Sequence, residues 1–151
     1  MMANIKLTES EHYQTIVINA NSALKKSDYY FELSRLVEGK ITKSTFKTLA
    51  ETFLKAAGEN NPNAVISGAA TIVDVINGFV PSMEDKVVKN CEHSSKMFDE
   101  LKESIQNSAF PKWEVKLMVK RYKTNDGSYL DIPVGRTITG YYTSTGQKAT
   151  I

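Results

Sequence analysis

Cys91 and His93 stand two residues apart and form the first pair in this sequence that could do chemistry. A thiol beside an imidazole can act as an activated nucleophile or as half of a metal site. The spacing argues against both. Zinc takes three or four ligands, usually in spaced pairs, and the only other histidine, His12, lies far upstream. Positions two apart on a helix also face different ways. Cys91 therefore reads as a small core residue and His12 as a solvated one. No metal site, cofactor or catalytic set is expected.

The acidic pairs Glu84-Asp85 and Asp99-Glu100 read as solvated helix surface, supported by partners four residues on, as in Asp85 with Lys89 and Glu92 with Lys96. Asp74 differs in kind, because it sits inside the most apolar segment, Ala64 to Val80. A buried carboxylate is costly unless it is paired. Asp74 is thus either on the one wet edge of that segment or a polar, pH-sensitive latch. No nucleophile elbow, phosphate-binding glycine loop or His-Glu-x-x-His pattern occurs.

The third group is basic and aromatic. Lys112, Lys116 and Lys120 recur every four residues with Arg121 and Lys123 close by, and Tyr122, Tyr129, Tyr141 and Tyr142 are interleaved. On a strand the three lysines share one face. Such a face serves solubility, or it recognises an anionic or carbohydrate-bearing surface with tyrosines supplying contact area. Lys116, Lys120, Arg121 and the four tyrosines are the candidate binding residues.

Several elements must position these groups. Thr8-Glu9-Ser10-Glu11 reads as a capping box. It would open a helix through Tyr13, Ile16, Val17, Ala20, Ala23 and Leu24 that either breaks at Ser27-Asp28 or runs on through Tyr30, Leu33 and Val37 to Gly39, a fitting stop. A second helix fits Thr42 to Ala57. Ala64 to Val80, apolar on nearly every side, reads as a buried central helix. The fourth helix carries Met83, Val87, Cys91, Ser94, Phe98, Leu101 and Ile105, a heptad seam. After Pro111 the period becomes two, with Trp113, Val115, Leu117 and Val119 alternating with polar residues. Asn125-Asp126-Gly127 marks a hairpin. A return strand fits Tyr129 to Pro133, a further strand Arg136 to Thr143, and Ser144-Thr145-Gly146 another turn.

The expected fold is α+β: an N-terminal bundle of about four helices with a central apolar helix over residues 1–107, then a small antiparallel sheet of three to four strands over 108–151. The sheet is too small to stand alone, so it should pack on the bundle as one folded unit. With 151 residues, 41% apolar and 24% charged, the chain can bury a core without disulfides, and its single cysteine allows none. Residues 1–107 carry twelve basic and fourteen acidic side chains, and residues 108–151 carry seven and three. The excess is too modest for a dedicated nucleic-acid domain. No signal pattern opens the chain, so a cytoplasmic product is the default, with signal-free secretion as the alternative.

These features favour a non-enzymatic interaction module, with a helical scaffold and a basic β face that meets an anionic or protein partner. The Thr137–Thr143 edge is open to strand addition by a partner or a second copy. A second reading is a membrane-active protein using residues 64–80 at an anionic membrane surface, similar in outline to helical pore-forming toxins. An enzyme with an unrecognised site ranks third.

Overall fold

A computed structural model describes residues 7–56, 81–124 and 129–150. The chain enters as a strand, β1 (Leu7–Asn19), and turns directly into helix α1 (Ala20–Val37). Helices α2 (Lys43–Ala56) and α3 (Pro81–Gln106) follow, then β2 (Lys112–Thr124), β3 (Tyr129–Tyr142) and β4 (Lys148–Thr150). The strands form one antiparallel sheet in the order β1-β2-β3-β4.

The four-helix bundle is therefore corrected. Among the described residues there are three helices, and the sheet rather than a fourth helix supplies the other half of the core. The error lies at β1, where a capping box was expected to start a helix. Thr15-Ile16-Val17-Ile18 is a run of four β-branched residues, which lose rotamer freedom in a helix and fit a pleated sheet. Exposure along β1 alternates: Glu11, Tyr13, Thr15 and Val17 face solvent, while His12, Gln14, Ile16 and Ile18 are wholly or partly covered. The true helix start is Asn19, extended at φ −106° and ψ 174°, whose Oδ1 accepts the Ser22 amide at 2.7 Å.

Two further elements differ in extent. The strands expected over Tyr129–Pro133 and Arg136–Thr143 are one strand, β3, which absorbs two register shifts against β2. It advances from Pro133 to Gly135 while β2 steps from Val119 to Met118, leaving Val134 as the extra residue. The turn expected at Asn125-Asp126-Gly127 and the apolar helix at Ala64–Val80, with Asp74, lie outside the described residues. The turn at Gly146 is present, with φ +86° and its amide donating to the Thr143 carbonyl at 2.9 Å.

The core lies between the helices and the sheet, which buries Val115, Leu117 and Val119 on one side and Tyr122, Leu130 and Ile132 on the other. On α3 the heptad positions Val87, Cys91, Ser94, Phe98, Leu101 and Ile105 are buried. They face α1, whose Tyr29, Tyr30 and Leu33 are also buried. The two helices approach closely enough for a reciprocal pair: Ser27 Oγ donates to the Ser95 carbonyl, and Ser95 Oγ to the Ser27 carbonyl, each at 2.8 Å. Small side chains at this level let the backbones meet. From the sheet, Val115, Leu117 and Val119 join this core. Tyr30 stacks on Phe98 at 6.0 Å and donates its hydroxyl to the Asp131 carbonyl, tying α1 to β3.

Candidate functional site

The expected binding residues fall into three places. Lys116 is exposed on β2, and Lys120 is half-buried on the same face, where its cross-strand neighbour Ile132 is covered. Their surroundings are not simply basic, because β1 lies alongside and brings its acids. Lys120 Nζ sits 2.9 Å from Glu9 Oε1 and 3.6 Å from Glu11 Oε1. The hydrogen bond to Glu9 raises the Lys120 pKa. Across the sheet Lys148 Nζ pairs with Glu114 at 2.8 Å, and its hydrogen bond lowers the Glu114 carboxyl below the usual range. Lys116 Nζ lies 4.6 Å from the Tyr13 ring centroid, a cation–π arrangement.

Arg121 belongs to a different constellation. Its guanidinium grips Asp131 through two bonds of 2.8 Å and lies 4.1 Å above the Tyr129 ring. Asp131 is 1% exposed. His12 Nε2 stands 4.0 Å from the same carboxylate. Three strands thus meet at one buried acid. The carboxylate is engaged on both oxygens, so this cluster acts as a clasp holding β1, β2 and β3 in register.

The remaining tyrosines are structural or peripheral. Tyr122 is buried, and its hydroxyl accepts from Asn90 Nδ2 at 2.9 Å, joining β2 to α3. Tyr141 stacks on Phe110 at 5.0 Å and meets Trp113 edge-on at 5.1 Å. Tyr142 lines a shallow cleft with Val17, Lys112 and Ser144 at the end of the sheet. The Thr137–Thr143 stretch is not a free edge along its length, because Gly140 to Tyr142 pair with β4.

Sequence reasoning missed Glu9, Glu11 and Tyr13 as members of this face. The signal that finds them is the period-two alternation of β1. Tyr13 is 66% exposed and Val17 52%, two large apolar side chains on the same face of the outer strand.

Cys91 and His93 part as their spacing predicts. His93 is exposed and shares a cleft with Lys96, Glu100 and Arg136, while Cys91 is buried. Burial pushes the Cys91 thiol pKa far up. Native protein should therefore resist thiol reagents and be modified only as fast as it unfolds globally. Rapid labelling without denaturant would place the thiol at a solvent path and refute its core role. Among the described residues no group of three His, Cys, Asp or Glu could hold a metal ion, and no helix is long and apolar enough to cross a membrane.

Comparison of the chain with protein-family models, curated proteins and solved structures gives no match.

Proposed function

We propose that the chain is a non-enzymatic binding module whose contact element is the open face of its sheet, and that the partner is a protein. The observation that carries this reading is the exposure of Tyr13 and Val17 on an otherwise polar strand face. Exposed aromatic and aliphatic side chains rimmed by charge are what protein contacts use. The ion pairs of Lys120 with Glu9 and Glu11, and of Lys148 with Glu114, support a protein over an anionic polymer or lipid surface, since those cations are already neutralised.

The test compares immobilised wild type with the double variant Val17→Ser, Lys116→Glu, using lysate from the host cell. Both side chains are exposed, so circular dichroism and melting should be unchanged. Capture of specific proteins should fall at least about tenfold in the variant and persist in wild type at about 0.5 M salt, where the Debye length is only a few ångströms. Equal capture by both proteins refutes the reading. Binding that vanishes at that salt and transfers to anionic vesicles or polyanions returns the face to electrostatic recognition.

A further inference from the structure

The sheet has three stretches of strand without a described neighbour, and they are unequal. Beyond β4, which is only three residues long, no further strand lies among the described residues. The part of β3 not covered by β4 contains Pro133, Gly135 and the shift at Val134. Short strands, prolines and bulges are the devices that keep sheet edges from pairing. The outer edge of β1 has none of them. It is thirteen residues long, contains no Pro, Gly or Lys, and pairs with β2 at every position without a shift. Among the described residues β2 is its only neighbour.

We infer that β1 pairs antiparallel with β1 of a second copy, closing a two-fold dimer with one continuous eight-stranded sheet. This rests on the reading that the sheet is the contact element, and it names the partner of the sheet's edge. The side chains select the register. Directly opposed residues share a face, so odd positions must meet odd positions; a slip of one would place Ile16 and Ile18 on the solvent face. Centring the two-fold on Ser10 opposes Glu9 to Glu11 twice, and centring on Glu11 opposes that residue to itself; both are repulsive. Centring on Tyr13 sets Glu9 against Val17, Glu11 against Thr15 and Tyr13 against its own copy. Every charge then meets a neutral residue, and the most exposed aromatic side chain gains an aromatic partner. The arrangement is isologous, uses each β1 once and so stops at two copies.

The experiment is light scattering after size exclusion across concentration, on the full chain and two single variants. Wild type should be dimeric. Tyr13→Lys opposes two lysines at the centre and should raise the dissociation constant about tenfold or more. Thr15→Lys places a lysine against Glu11 of the other copy, twice per dimer, and should lower it. Both positions are exposed, so circular dichroism should match wild type. Wild type that stays monomeric to about 1 mM overturns the pairing, as does a dimer indifferent to Tyr13→Lys or loosened by Thr15→Lys. A monomeric wild type overturns the pairing even where Val17 and Lys116 still govern capture of other proteins. A dimer with the expected responses but a silent open face supports the pairing and overturns the open-face reading.

Discussion

Replacing Arg121 by Met is expected to cost about 3–5 kcal/mol of stability at neutral pH. The reason lies on the partner. Arg121 keeps 33% of its side chain in solvent, but Asp131 keeps 1%, so removing the guanidinium strands a carboxylate that cannot reach water. His12 Nε2, at 4.0 Å, is too distant to replace two bonds of 2.8 Å. Removing the other partner is less severe. Asp131→Asn frees a guanidinium that can turn to solvent and still lie over Tyr129, and it should cost about 2 kcal/mol. The two losses should not add, because the double variant Arg121→Met, Asp131→Asn contains no stranded charge. It should recover at least half of what Arg121→Met loses. Urea unfolding followed by circular dichroism measures all three variants against wild type. If Arg121→Met costs under about 1 kcal/mol, or if the double variant is worse than the sum of the singles, the clasp is not what holds Asp131. The same loss should appear locally: amides around His12, Arg121 and Asp131 should exchange faster together, since the clasp spans three strands.

Which parts of this arrangement could be read from the sequence depends on how far the information lies along the chain. The seam of α3 was legible because seven positions repeat on one helix and every signal is local. The alternation of β2 was legible for the same reason. β1 was not, because Tyr13, Ile16, Val17 and Ala20 fit a helical stripe as well as a strand, and short apolar runs do not separate the two periods. What decides between them is pairing with β2, far along the chain, where Leu7 meets Thr124 and Asn19 meets Lys112. The site suffered from that one error. Counted by segment, residues 108–151 are basic, and Lys116 and Lys120 look like an anion-binding stripe. Folding slides a strand from the acidic part of the chain beside them and cancels much of the stripe. Segment charge predicts surface charge only where neighbours in sequence are neighbours in space. Pro133 misled in the opposite sense: it reads as the end of a strand and instead stands beside the bulge at Val134 inside one.

Lys26 offers the second large effect, and its sign runs against ordinary expectation. It lies on α1 with 2% of its surface exposed, and burial lowers its pKa from 10.5 to about 8. At neutral pH the folded chain therefore holds an ammonium it would sooner discharge, at a cost of about 3 kcal/mol. Between about pH 8 and 10.5 the unfolded chain binds a proton that the folded chain has released, so this group makes the protein more stable as pH rises. Other groups pull the opposite way. The buried Cys91 thiol and the buried Tyr29 and Tyr30 hydroxyls have raised pKa values, so above about pH 9 and 10 the unfolded chain loses protons that the folded chain keeps. The clean readout is thus a difference between two proteins that share those groups. Lys26→Met, unbranched and similar in length, should be more stable than wild type by about 2–3 kcal/mol at pH 7. That advantage should shrink steadily above pH 8 and vanish near pH 10.5 as wild type sheds the charge. Parallel unfolding curves at each pH measure it. An advantage that is absent at pH 7, or that stays constant through pH 10, would mean the ammonium is well solvated or compensated in the folded chain, and the desolvation argument would fail.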